Sequence, residues 1–295
     1  MIISKTPFRI SFFGGGTDYP AWFEKYGGAV LSTTIDKYCY ISIRYLPPFF
    51  EHKHRIVYSI VENVLSANEI KHPVVKAILK YFKIEKGVEI HHDGDLPARS
   101  GLGSSSSFTV GMLNSIYALK GKIISKSQLA KEAIHIEREI LKESVGSQDQ
   151  IAVAYGGFNK IIFNNDHDFR VEAVTLHKDK IKELQSHLML VYTGLSRFAS
   201  EIATEQIRNT PNKEKELKVM RGMVDQAVEI LNSNSNISEF GRLLNESWQV
   251  KKRLSSKVSN SEVDSLYAKA LKHGAIGGKL LGAGGGGFML LFVRP

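Results

Sequence analysis

The chain has 295 residues, 43% of them hydrophobic, and carries 39 Lys and Arg against 30 Asp and Glu, a formal net charge of +9. Such a composition excludes a disordered chain and leaves length enough for two domains of ordinary size. A single cysteine, Cys39, excludes an internal disulfide and a thiolate metal cluster, and fits a reducing compartment.

In chain order, residues 2–13 and 29–45 are rich in β-branched and aromatic side chains and predict strands. A helix opened by Pro73 is expected over 73–82, then a strand over 87–92. Helices follow over 104–119, 125–143 and 147–154. After Gly156-Gly157 the pattern returns to strands at 158–163 and 188–192. A long helical stretch over 198–256 is broken near Pro211 and at 232–236, and a helix over 261–273 and a strand over 287–293 complete the pattern. The order is α+β rather than a regular βαβ alternation. A division near 160 is expected, giving an N-terminal unit 1–160 and a C-terminal unit 161–295.

The N-terminus enters a strand pattern without a signal-peptide signature, and no stretch approaches a membrane span. A cytoplasmic protein with no membrane partner is therefore expected. Basic residues are scattered among acidic ones and no nucleic-acid-reading motif occurs, so the charge points to phosphorylated small ligands and not to nucleic acid. Oligomeric state stays open, with a homodimer as one option.

Glycine and serine gather in three places: Gly14-Gly15-Gly16-Thr17-Asp18, Ser100-Gly101-Leu102-Gly103-Ser104-Ser105-Ser106-Ser107, and Gly282-Ala283-Gly284-Gly285-Gly286-Gly287. Each abuts an apolar segment, and glycine lets backbone N–H groups approach an anion closely. The second cluster opens a helix, whose free N–H groups and dipole attract phosphate; serine hydroxyls there can also take Mg²⁺. One serine would suffice as a cap, and four are present. The third cluster formally matches G-x-G-x-x-G, but no helix follows it, and no P-loop motif occurs.

Four charged residues stand out. Glu137 borders the stripe Leu129, Ala133, Ile136 and Ile140 with no cation at helical spacing, so it needs a compensating partner such as a metal. Asp149 lies in the first turn of a helix opened by Ser147, and Asp18 precedes Pro20 at another helix start; both positions suit helix-capping chemistry as well as a site. Arg9 is an isolated cation in the apolar run Phe8 to Phe13 and calls for an acid or a ligand.

Together, Pro7 to Tyr19, Leu96 to Ser106 and Gly282 to Phe288 resemble, in order, the three motifs of the GHMP small-molecule kinases. The resemblance implies a ribosomal protein S5 domain 2-like N-terminal domain, a ferredoxin-like C-terminal domain and an active site between them, where ATP phosphorylates a small-molecule hydroxyl. Within the family the chain looks most like the heptose 7-phosphate branch, because Gly15 and Gly16 stand where galactokinases carry Glu and His. The implied acceptor is the anomeric hydroxyl of D-glycero-D-manno-heptose 7-phosphate, with another sugar 1-kinase or a non-catalytic sugar and nucleotide sensor as alternatives.

Carried onto this chain, the resemblance makes Asp149 the base and Arg9 a cation either near the transferring phosphoryl group or orienting Asp149. ATP would be held by Pro97, Arg99, Gly101, Leu102, Gly103, Ser104, Ser105 and Ser106, and Mg²⁺ by Ser105 and Glu137. The sugar phosphate would meet Gly14, Gly15, Gly16, Thr17, Asp18, Gly146, Arg197, Gly284 and Gly285. Arg197 is the first candidate for the 7-phosphate, with Lys279 and Arg99 behind it.

Overall fold

A computed structural model describes residues 1–98, 100–195 and 199–295. Strand β1 (Ile2–Phe13) is followed by helix α1 (Pro20–Tyr26) and the 18-residue strand β2 (Gly28–Tyr45). Next come β3 (His54–Val57), β4 (Val61–Val64), α2 (Pro73–Tyr81), β5 (Val88–Gly94), α3 (Ser104–Leu119), α4 (Lys126–Ile134) and α5 (Gln148–Tyr155). Strands β6 (Phe158–Phe163) and β7 (Phe169–Ala173) precede α6 (Lys178–Ser186), β8 (Leu188–Tyr192), α7 (Ala199–Asn209), α8 (Glu214–Asn232) and α9 (Ser238–Lys252). Helix α10 (Ser261–Lys272) and strands β9 (Gly277–Leu280) and β10 (Phe288–Phe292) complete the chain.

Long β2 organises the first half. Antiparallel β1 runs along one edge, while β5 pairs with its C-terminal part and β6 with its N-terminal part on the other. The sheet order is β4-β3-β5-β2-β6-β7, with β1 attached to β2. The chain leaves this sheet only after β7, so the division expected at 160 falls inside β6. Antiparallel strands β8-β10-β9 form the second sheet.

Two expected elements resolve differently. The helix predicted over 125–143 becomes α4 followed by a π-helical turn at His135–Ile140, which rotates the side chains after it out of α-helical register. Three short strands, β3, β4 and β7, and helix α6 escape a reading by pattern, because at four to nine residues they show too few periods of alternation. The breaks at Pro211 and 232–236 do separate α7, α8 and α9.

One continuous apolar core joins the halves. Phe12 and Phe13 of β1 meet Phe240 of α9 edge-on at 5.4 and 5.1 Å, and Phe292 of β10 lies against the same ring at 6.2 Å. Such pairs add roughly 1 kcal/mol each beyond area burial, so the two sheets are fixed across the cleft between them.

Candidate active site

Helix α3 is buried along most of its length, against β1 and β2. A Cβ on Gly111 would lie 2.8 Å from Thr6 Oγ1, and Ser4 donates to the Gly111 carbonyl at 3.0 Å, so glycine permits this close helix–strand approach. The effect is to set the α3 N-terminus beside Arg9. β1 is irregular between Pro7, which has no N–H, and Arg9. There the Arg9 N–H leaves the ladder and bonds to the Leu102 carbonyl at 2.9 Å.

Arg9, 3% exposed, spends its guanidinium on two partners. Nε and Nη2 donate to the two Asp149 carboxylate oxygens at 2.8 and 2.6 Å, and Nη1 donates to the Gly101 carbonyl at 2.7 Å. The two-pronged bond fixes the rotamer of Asp149, which keeps 26% of its side chain accessible. Both line a cavity of about 240 Å³, together with Gly101, Gly103, Ser104, Ser105 and Ser106 at the start of α3. Gly103 takes a left-handed conformation at the N-cap, and its Cβ would lie 3.0 Å from Arg9 Cγ.

The same cavity is also lined by Gly15, Gly16, Asp18, Gly146 and Gly284. Asp18 is buried; Oδ1 accepts the Gly16 N–H at 2.8 Å and Oδ2 the Gln148 N–H at 3.4 Å. Burial above all, then the Asp149 charge, raises its pKa against the lowering effect of the Gly16 amide. Gly146 is obligatory there, since a Cβ would sit 1.9 Å from Asp18 Oδ2.

Several residues expected at ligands do not line the cavity. Thr17 is fully buried; its hydroxyl bonds to the Gly14 and Ala29 carbonyls, so it staples the first loop to β2. Gly14 packs there too, with φ of +82° and room for no Cβ beside the Ala29 carbonyl. Leu102 is core, Pro97 is exposed away from the cavity, and Gly285 bonds by its N–H to the Val258 carbonyl. Arg99 and Arg197 lie outside the described residues.

Glu137 sits in the π-helical turn, fully buried. Its Oε2 accepts Ser106 Oγ at 3.0 Å and the Gln150 amide, while Oε1 has no protein partner. The hydroxyl in contact with it is that of Ser106, while Ser105 and Ser106 both line the cavity. Burial pushes the Glu137 pKa up to about 7. Hydroxyl and carboxylate oxygens at a helix N-terminus, with one buried oxygen unpartnered, form a donor set that suits Mg²⁺.

Sequence reasoning does not single out Lys251, and it offers Lys279 only as a distant phosphate candidate. Both line the cavity at 5% and 2% exposure. The available signal is the one that exposes Arg9: Lys251 falls in helical register with Leu244, Ser247 and Trp248 on the buried stripe of α9. Gln148 and Gln206, also on the cavity, carry no such signal.

Comparison with known proteins agrees with this geometry. Residues 68–157 match the GHMP kinases N terminal domain and 214–295 match GHMP kinases C terminal. The D-glycero-alpha-D-manno-heptose 7-phosphate kinase of Campylobacter jejuni is 31% identical over 305 residues, covering 100% of this chain and 90% of that protein. A galactokinase of Pyrococcus furiosus is 28% identical, covering 99% of this chain and 89% of its own length. The crystal structure of a D-glycero-D-manno-heptose 1-phosphate kinase from Bacteroides thetaiotaomicron superposes with a TM-score of 0.78 at 26% identity, covering 100% of this chain and 89% of that one. With both domains matched in order, around a cavity built from the three glycine loops, the chain belongs to the GHMP kinases and is a sugar kinase, a phosphotransferase that acts on an alcohol group.

Proposed function

We propose that the protein transfers the γ-phosphoryl group of MgATP to the anomeric hydroxyl of D-glycero-D-manno-heptose 7-phosphate, giving the 1,7-bisphosphate. The observation that carries this reading is that the Arg9–Asp149 pair and the glycine–serine start of α3 line one cavity. The choice of acceptor is supported by the end-to-end similarity to the Campylobacter jejuni heptose 7-phosphate kinase.

In this reading the N–H groups at the start of α3 and the Ser104 and Ser105 hydroxyls hold the ATP phosphates. Glu137 with Ser106 or Ser105 would hold Mg²⁺, which when bound neutralises phosphate charge. Asp149, clamped by Arg9, accepts a hydrogen bond from the acceptor hydroxyl and aims its oxygen at the phosphorus. A carboxylate is a weak base, so orientation is its main contribution; the proton passes to Asp149 as the acceptor oxygen bonds to the γ-phosphorus and the bond from that phosphorus to the β–γ bridging oxygen breaks, releasing ADP. Gly15 gives the sugar room, and Asp18, fixed by two backbone amides, offers its remaining lone pairs to sugar hydroxyls. Gly15 is informative: a Cβ there would find its nearest atom at 3.6 Å, so glycine leaves open volume where packing does not demand it.

An ADP-release assay over heptose 7-phosphate, galactose, fucose, arabinose and mevalonate tests the assignment. Turnover with the heptose phosphate well above the rest is expected. Strong turnover of galactose or fucose with none of the heptose phosphate would sink it.

A further inference from the structure

Arg9 has its counter-ion in Asp149, but the other two cations on the cavity have none among the described residues. Lys251 ends on carbonyls: its Nζ donates to Leu280 at 3.1 Å and Gly282 at 2.6 Å. Lys279 Nζ donates to the Phe12 carbonyl at 2.8 Å. Both side chains are nonetheless buried. Burying an ammonium without an anion is costly, and a fold tolerates it where an anionic ligand completes the charge balance.

Position points the same way. Gly282, which holds Lys251, packs on Gly101, which holds Arg9; a Cβ on Gly282 would lie 2.8 Å from Gly101 Cα. The second and third glycine loops therefore meet with one cation hung on each. An ammonium has three N–H donors, and carbonyls use two of those on Lys251, leaving one for a ligand.

We propose that Lys251, with Lys279 beside it, receives a phosphate oxygen, so that the α9–β9 side of the cleft is a second anion subsite next to the glycine–serine loop. The phosphate is either the phosphoryl group in transfer or the one carried by the acceptor. In the ligand-free cleft, burial pulls the Lys251 pKa down to about 7, with Arg9 adding to the fall and Asp18 and Asp149 opposing it. An incoming phosphate anion restores the charged form. This rests on phosphoryl transfer in the cleft but not on the identity of the acceptor.

Lys251→Gln keeps N–H donors for the two carbonyls and removes the charge; Lys251→Met removes both. Each is assayed for kcat and both KM values, with MgATP affinity measured by calorimetry as a check of folding. If the acceptor's phosphate is the ligand, Lys251→Gln raises KM for heptose 7-phosphate by about tenfold or more with kcat and MgATP affinity kept. If the ligand is the group in transfer, kcat falls about 100-fold with phosphorylated and plain sugars alike. Wild-type kinetics in Lys251→Gln overturn the proposal, as does a loss in Lys251→Met that Lys251→Gln fully restores, which would leave only loop support. Should the wild type reject heptose 7-phosphate, the acceptor found by the panel takes its place, so the two readings fail separately. Independently of any variant, a crystal of the wild type with a non-hydrolysable ATP analogue and acceptor should put Lys251 Nζ within about 3.2 Å of a phosphate oxygen; a separation beyond about 4 Å from all of them overturns it.

Discussion

Asp149 and Glu137 are both carboxylates, yet their surroundings differ: one is a quarter exposed and the other fully buried. Asp149 pairs its carboxylate with the Arg9 guanidinium and stays partly open to the cavity. Replacing it with Asn removes that charge while keeping a similar shape. We expect turnover to fall about 1,000-fold or more, with the MgATP dissociation constant nearly unchanged, as calorimetry and ADP release would read. Full activity in Asp149→Asn would remove this residue from the mechanism. Glu137, by contrast, is buried with a pKa pushed up to about 7. In the metal-free protein the folded state then keeps a proton between about pH 4.5 and about 7 that the unfolded chain has released, so stability falls as pH rises through that window. Glu137→Gln should abolish the fall, leaving the metal-free variant more stable than wild type at about pH 8, by on the order of 3 kcal/mol at most. If Glu137 holds Mg²⁺ as proposed, turnover of the same variant should nonetheless collapse. Thermal unfolding at both ends of the window checks this, and identical pH profiles for the two proteins would place the titration elsewhere.

Among the elements, the first glycine loop separates positions that the fold needs from positions that the ligand needs. Gly14 has φ of +82°, and a Cβ would lie 1.9 Å from the Ala29 carbonyl oxygen. Gly14→Ala should therefore cost about 3 kcal/mol or more of stability. Gly15 has no positive φ, and a methyl there would find no atom nearer than 3.6 Å, so Gly15→Ala should unfold within about 0.5 kcal/mol of the parent. Because that methyl enters the cavity, its KM for the sugar should rise about fivefold. Denaturant unfolding and acceptor kinetics on the pair test the division, and equal stabilities for the two variants would refute it. The same local logic explains why the start of α3 is legible in advance. A glycine pair followed by serines has few backbone options, and the left-handed Gly103 is one that only glycine adopts at little cost. The π turn at His135–Ile140 has no such marker, because its extra residue conforms to helix periodicity on either side.

At the scale of the molecule, the cavity belongs to neither half. Phe288 N–H donates to the Ser100 carbonyl at 3.0 Å, Lys279 reaches the Phe12 carbonyl, and Phe240 packs between β1 and β10. In the third glycine loop Gly284 lines the cavity while Gly282 and Gly287 press on the second loop. Gly156-Gly157 marks a turn between α5 and β6, and the first sheet continues through β7.

By itself the sequence determined the α+β class, most of the longer helices and strands, the three glycine loops and the kinase family, since these follow from local periodicity, backbone sterics and motif order. It also marked Arg9 and Glu137 as charges in need of partners. Tertiary structure alone decided who those partners are. Arg9 finds Asp149 from 140 residues away, Glu137 takes Ser106 and Gln150, and Lys251 and Lys279 turn inward to the cavity. The reason is physical: the energy of a buried charge depends on distance and desolvation in three dimensions, and no spacing along the chain encodes either.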